Sequence, residues 1–328
     1  MKLGATRMKR GGMHFATRLT IASLGATLAT SLVLIGTASA SPIGPVTVLA
    51  PFNIMQGQLP ENIAAAANGS IDVNWNGADT IANVSSSGKV TVLGTLPSVP
   101  GGGTSTPFLK MPFSAGMVNN SGTIYTVFDT GTASLNGVYR TEPGGTPTLI
   151  ASLPAGSLAN GIALDNLTGT LFITDSALGE IWSVPAQGGT PTTWASGKAL
   201  APVKSFGVNG LKIHNGAVWV SNTSNGTLLR IPILRNGKAG AIKVFASGLS
   251  TIDDFAFVGS SNAVIAALNG ANEVAYVTPN GAHSIILTGA DGLENPSSVA
   301  VSGSTVYIAN AAYYTGTNPS LMEATLTN

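Results

Sequence analysis

From Asn160 to Pro185 the chain reads NGIALDNLTGTLFITDSALGEIWSVP, and a phrase of this build recurs about six times. Ile162 and Leu164 alternate with small or polar residues, Asn166 to Gly169 supplies a turn, and Leu171 to Ile173 alternate again before Asp175-Ser176. That pattern predicts two short antiparallel strands. Gly179 interrupts the chain, and Ile181, Trp182 and Val184 continue as a third strand. Such a meander cannot bury both of its faces alone, so the copies must pack on one another.

The best second copy is VNGLKIHNGAVWVSNTSNGTLLRIPI, starting at Val208, and weaker copies begin at Glu61, Ala115, Asp253 and Ser297. Taking Glu61, Ala115, Asn160, Asn209, Asp253 and Ser297 as equivalent, the steps are 54, 45, 49, 44 and 44 residues. A repeat of this length made only of strands predicts propeller blades rather than a helical solenoid. Composition agrees: 41 Gly, 18 Pro and only 9 % charged residues leave little room for surface helices. The expected fold is all-β, a six-bladed β-propeller of four-stranded antiparallel blades. Six blades consume residues 41–328, which are therefore read as one domain.

Residues 1–18 carry Lys2, Arg7, Lys9, Arg10 and Arg18 with no acid, and Leu19 to Ala40 is free of charge. Ala38-Ser39-Ala40 offers a small-residue cleavage site, so residues 1–40 are expected to be an export signal and the mature protein secreted or periplasmic. An uncleaved membrane anchor is the alternative, and the Ala, Gly, Ser and Thr content makes it a weak span. Without the five leader cations, ten basic residues face fourteen acidic ones, a formal charge of −4. No basic patch points to nucleic acid, and no stable membrane association is expected after cleavage. The absence of Cys excludes disulfide staples and thiolate chemistry.

A propeller must close its ring or leave two sheet edges exposed. Residues 44–51, GPVTVLAP, form a short apolar strand ahead of the first blade and are expected to complete the last one, beside Ser298 to Ala309 and Leu321 to Leu326. The insertion VPGGGTSTP, Val99 to Pro107, explains the 54-residue step. It reads as a surface loop, with a lid over the channel mouth as the alternative.

Chemistry is expected where the innermost strands begin, because that end of every blade faces the central channel. The equivalent positions offer Glu61, Ser114 or Ala115, Asn160, Asn209, Asp253 and Ser297. Two carboxylates and two carboxamides are hard oxygen donors, suited to Ca²⁺ or another divalent cation and poor for zinc or copper. Asn-Gly is also a common turn dipeptide, so either asparagine alone would read as a turn. Their joint occurrence with Glu61 and Asp253 favours a ligand set. Alternation with Phe255 and Phe257 favours Asp253 over Asp254, and both stay candidates.

These residues resemble the family of senescence marker protein, gluconolactonase and luciferin-regenerating enzyme, whose members are six-bladed propellers. That resemblance covers roughly residues 45–326 and implies a metal held by Glu61 in PENI, Asn160 in ANGIALD, Asn209 in VNGL and Asp253 in IDDF. It also implies a base or water-orienting role for Asp253. The chain departs from the family's usual Glu-Gly-Pro and Asp-Gly with Glu61-Asn62 and Asp253-Asp254, and the family's substrate-binding arginine near the second blade is not evident. The PENI, NGI, VNGL and DDF variants look more like a divergent branch that includes cyclases of the hetero-Diels-Alder type.

A second ring of polar residues, Asn74, Asp129, Asp175, Asn222, Asn269 and Asn310, follows 13 to 16 residues behind the first and reads mainly as turn caps. Ser114, Asp254 and Ser297 at the mouth, with Asp175 from the second ring, are assigned to substrate binding. His214 and His283 fall away from the mouth, so a Ser-His-Asp triad is not expected. The tryptophans read as packing between blades. The expected function is a secreted, Ca²⁺-dependent hydrolase of a small-molecule lactone or related ester, in which ion-activated water attacks and Asp253 takes its proton. A non-hydrolytic propeller, either a ligand- or protein-binding module or a cyclase, is the alternative, and a purely structural ion is a third.

Overall fold

A computed structural model describes residues 42–99 and 106–327. The expected export signal, and most of the insertion after Val99, lie outside the described residues. The described chain forms 24 strands, β1 to β24, and no α-helix. They make six four-stranded antiparallel sheets: β2–β5 (60–95), β6–β9 (113–152), β10–β13 (159–196), β14–β17 (208–247), β18–β21 (252–287), and β22–β24 (296–325) joined by β1 (Thr47–Pro51). In the first five sheets the spatial order is the chain order, so each blade is a plain meander.

The sixth sheet has the order β1-β24-β23-β22. β1 lies antiparallel to β24 (Ser320–Thr325), with Val48 opposite Met322 and Pro51 opposite Ser320. This is the closure expected of residues 44–51, and it pairs both chain ends into one blade. The isolated bridge from Ile43 to Leu326 extends it by one more pair.

Blade-to-blade contact supplies the core. Val127, Leu171 and Ile173 belong to one buried cluster spanning blades 2 and 3, and Trp219, Phe255 and Val264 to another spanning blades 4 and 5. Trp219 is fully buried, and Phe245 and Phe257 meet its ring edge-on, so this indole does act as packing between sheets.

The innermost strands are β2 (Pro60–Ala65), β6 (Phe113–Asn120), β10 (Ala159–Asp165), β14 (Val208–His214), β18 (Ile252–Phe257) and β22 (Pro296–Ser302). Each one bulges at its start. The register slips between Pro60 and Asn62, Ser114 and Met117, Ala159 and Ile162, Val208 and Leu211, Ile252 and Phe255, and Pro296 and Ser298. A bulge frees residues from the ladder and re-aims their side chains, which makes it a device for turning strand residues toward a channel. The residues freed are Glu61, Asn160, Asn209, Asp253 and Ser297 with their neighbours. Asn160-Gly161 and Asn209-Gly210 are therefore strand bulges, not the tight turns that the dipeptide alone suggests.

The backbone loosened by each bulge finds partners on the second strand. Thr174 Oγ1 accepts from the Gly161 N–H at 2.7 Å and donates to the Asn209 carbonyl of the next blade. Ser221 bonds the Asp253 carbonyl in the same way, and Asn74 joins the Asn62 N–H to the Ala115 carbonyl. One polar side chain thus satisfies two adjacent bulges and fixes the offset between blades. The glycines after the bulge residues allow that approach: a Cβ on Gly161 would come within 2.6 Å of the Asn209 carbonyl oxygen, and one on Gly210 would collide with Asp254.

Candidate functional site

Four bulges deliver Glu61, Asn160, Asn209 and Asp253 to the wall of one cavity of about 470 Å³. The cavity opens at the end of the channel where the innermost strands begin. Asn76, Ser205, Thr223, Thr251, Asn269 and Tyr313 add to its polar lining. Glu61, Asn160 and Asn209 are each buried to about 5 % exposure, so these groups face the cavity rather than bulk water.

The two acids are held in an unfavourable state. Burial raises the Glu61 carboxyl from 4.5 to about 7, against a hydrogen bond from the Tyr313 hydroxyl and with help from the Asp254 charge. Burial also pushes Asp253 well above the ordinary aspartate range, with the charges of Glu61 and then Asp254 adding to it and a bond from Asn209 opposing it. Two buried carboxyls facing one cavity oppose each other's ionisation, and a cation between them would relieve that repulsion.

Asp254, the next residue along the strand, has a different environment. Lys212 Nζ reaches both of its oxygens, at 2.7 and 2.8 Å, and Asn62 Nδ2 and Ser298 Oγ donate to Oδ2 at 2.9 and 2.7 Å. Asp254 is thereby tied across the channel to blades 1, 4 and 6. Lys212 is its ion-pair partner, and among the described residues Glu61 and Asp253 have no basic partner of their own.

This arrangement separates the converging residues into a ring and a plug. At the position following each bulge residue the six blades carry Asn62, Gly116, Gly161, Gly210, Asp254 and Ser298. Glycine occupies this position in three blades, and in the other three Asn62 and Ser298 meet on the carboxylate of Asp254. Asn62 and Asp254 are the two departures from the family pattern noted above, and they occupy the same network.

The remaining assigned residues are placed away from the cavity wall. Asp175 is fully buried within blade 3, accepting from Ser157 Oγ, the Leu158 N–H at 3.1 Å, the Leu178 N–H at 3.0 Å and Trp182 Nε1 at 3.1 Å. Ser297 donates to the Pro60 carbonyl at 2.8 Å, joining blade 6 to blade 1. Ser114 is fully buried at the start of β6, and its backbone N–H meets Asn76 at 3.3 Å. Ser114, Asp175, Asp254 and Ser297 are thus buried in the scaffold and do not line the cavity, the last three with their side chains bonded to protein groups. Asn222 and Asn310 cap loops through the N–H groups of Asn225 and Glu294, at 3.0 and 2.6 Å.

Two residues of the site escape the repeat. Tyr313 lies in the connection between β23 (Thr305–Asn310) and β24, outside any strand pattern, yet its hydroxyl bonds Glu61. Lys212 leaves a trace in the sequence, being the one Lys or Arg on any of the six innermost strands. A cation on a strand facing a closed channel requires a buried acid opposite it.

The donor set can be tested against the divalent cation that the resemblance implies. It offers two carboxylates and two carboxamide oxygens, no sulfur and no imidazole, and a residual charge that a divalent ion would balance. Among the described residues no cluster of three or more His, Cys, Asp or Glu stands ready to hold a metal, so the carboxamides of Asn160 and Asn209 would have to share in the binding. The residues fit a hard ion of flexible coordination.

No known family profile matches the chain, and no curated protein matches its sequence. Its likeness to solved structures is one of fold. A gluconolactonase from Xanthomonas campestris is 15 % identical, with 88 % of this chain and 99 % of that one covered at a TM-score of 0.61. An inactive variant of virginiamycin B lyase from Staphylococcus aureus, solved with quinupristin, is 15 % identical over 86 % of this chain and 99 % of its own, at 0.57. The aldose sugar dehydrogenase of Streptomyces coelicolor, in its PQQ-bound form, gives 16 % identity, coverages of 86 % and 97 %, and 0.59. These likenesses define the class as a six-bladed β-propeller, in agreement with the gluconolactonase-like resemblance read from the sequence. Fold sharing among a lactonase, a lyase and a dehydrogenase leaves the reaction to the site itself.

Proposed function

We propose that this chain is a divalent-cation-dependent hydrolase of a lactone or related ester, working with Ca²⁺ after export from the cytoplasm. One observation carries the reading: Glu61 and Asp253 share one cavity with Asn160 and Asn209, while Lys212 pairs with Asp254 instead. A divalent ion bound there would polarise an ester carbonyl and acidify water. Glu61, Asn160, Asn209 and Asp253 would hold the ion. Asp253, raised by burial and by Glu61, is the carboxylate best placed to accept a proton once a cation has drawn it into its ionised form. Tyr313 fixes the Glu61 carboxylate by hydrogen bonding and closes the wall beside it.

The test is hydrolysis of a panel of γ- and δ-lactones and simple esters by the full-length protein, with Ca²⁺ and with EDTA. Activity should require the ion and should be lost in Glu61→Gln and Asp253→Asn. A folded, Ca²⁺-loaded protein that leaves every lactone and ester intact would overturn the proposal.

A further inference from the structure

The upper walls of the cavity are built differently from its floor. Leu109, Met111, Phe113, Phe206 and Tyr314 line them, and no Lys or Arg is among the described residues around the cavity. Leu109 and Phe206 back onto the buried core shared by blades 2 and 3, so this surface is anchored. Phe108 covers Phe206 from outside, with ring centroids 5.5 Å apart. Met111, Phe108 and Tyr314 keep 43, 47 and 76 % exposure, which leaves apolar side chains in water around an open mouth.

The loop that presents Phe108, Leu109 and Met111 is held in a strained form. Phe108 and Lys110 adopt φ of 60° and 59°, a region that a bulky side chain avoids unless its surroundings impose it. The imposing group is Thr106, fully buried, whose Oγ1 donates to the Met111 carbonyl at 2.6 Å and accepts the Met111 N–H at 3.1 Å. Backbone bonds from Leu109 to Pro107 and from Lys110 to Thr106 tighten the turn further. The turn places Leu109 and Met111 on the cavity lining.

Four polar groups of the floor already have protein partners. Asn209 Nδ2 bonds Thr223, Thr223 bonds the Ile252 carbonyl, Asn269 Nδ2 bonds the Asn295 carbonyl, and Thr251 Oγ1 bonds Ser250 and Ala271. A polyhydroxylated sugar lactone needs free donors and acceptors for each hydroxyl it desolvates. Such a substrate would have to compete with these contacts for hydroxyl partners.

Resting on the hydrolase reading, we propose that the substrate carries an apolar group, an alkyl chain or aromatic ring, seated on Leu109, Met111 and Phe206, with its polar carbonyl end directed to the acid floor. Phe206 and Met111 set specificity by area of contact. Each methylene buried there should tighten binding up to about four-fold, equivalent to ~0.8 kcal/mol.

Two series test this with the full-length protein. The first is turnover of γ-lactones with alkyl substituents of one to eight carbons, beside D-glucono-δ-lactone. The second is calorimetric binding of the matching alkyl γ-lactams, with Ca²⁺ and with EDTA. The expected result is that kcat/KM and lactam affinity both climb with chain length, and that Phe206→Ala and, separately, Met111→Ser flatten the climb. Lactam affinity rising with chain length while no lactone is hydrolysed would support the apolar seat and remove the hydrolase reading. Turnover of gluconolactone with no gain from added methylenes, or a chain-length dependence untouched in both variants, would overturn the inference and leave the hydrolase reading standing. Absence of lactam binding at every length would overturn it as well.

Discussion

Glu61→Gln tests the electrostatics of the site without recourse to a substrate. In the folded protein burial raises the Glu61 carboxyl from 4.5 to about 7. Below pH 4.5 the folded and unfolded chains are both protonated there, and the residue adds no pH dependence. Between 4.5 and 7 the unfolded chain releases its proton while the folded one retains it, so stability falls as pH rises. Beyond 7 the loss is complete. A rise from 4.5 to about 7, at ~1.36 kcal/mol per pH unit, corresponds to about 3 kcal/mol, a large share of a typical folding free energy. Asp253 shifts in the same direction and adds to the trend. In EDTA, Glu61→Gln should therefore match the wild type at pH 4.5 and exceed it by about 3 kcal/mol at pH 7.5. Urea unfolding followed by tryptophan fluorescence reads this directly, since Trp75, Trp182 and Trp219 lie in blades 1, 3 and 4. Saturating Ca²⁺ should reverse the order, because only the wild type offers both carboxylates. Equal stability of the two proteins at pH 7.5 in EDTA would refute the argument that Glu61 is strained by burial.

Other outcomes follow from the same geometry. Ca²⁺ at ~100 times its dissociation constant should add about 2.7 kcal/mol to the wild type, measured as a rise in Tm, and Asp253→Asn should lose most of it. Lys212→Met leaves Asp254 buried without its counter-ion and should cost about 3 kcal/mol in urea unfolding, with Lys212→Met/Asp254→Asn recovering much of the loss. Gly161→Ala drives a methyl group into the Asn209 carbonyl and the Leu211 N–H, and should destabilise by at least 1–3 kcal/mol or prevent folding; a neutral effect in thermal melts would mean the blades can separate at that seam.

The architecture was legible because it is a repeat. Alternating apolar residues, turn clusters and a step of 44 to 54 residues are local signals, and their recurrence fixes the number of blades. The short strand at Val46 to Leu49 could be given its place because an open ring would leave unpaired edges, a constraint that holds before any coordinates are known. The four residues at the cavity were legible for the same reason: equivalent positions in successive blades must lie at equivalent places around the axis.

Side-chain direction within those positions could not be read the same way. Alternation assumes an unbroken strand, and the slip between Ile252 and Phe255 breaks it at the point where Asp253 and Asp254 must be told apart. Only packing against Gly210, Lys212, Asn62 and Ser298 sends Asp254 down the channel and leaves Asp253 at the cavity. Asp175 and Ser297 likewise look available in a string of residues, and their commitment to Leu158, Trp182 and Pro60 exists only once the chain has folded. Tyr313, Phe206 and Met111 come from connections between strands, whose lengths and paths the repeat does not govern. The sequence by itself determined the number of blades, their closure and which residues ring the axis, because these follow from periodicity. Tertiary structure alone decided which of those residues are spent on joining blades, which remain free to act, and what wall surrounds them, because those outcomes depend on contacts between residues far apart along the chain.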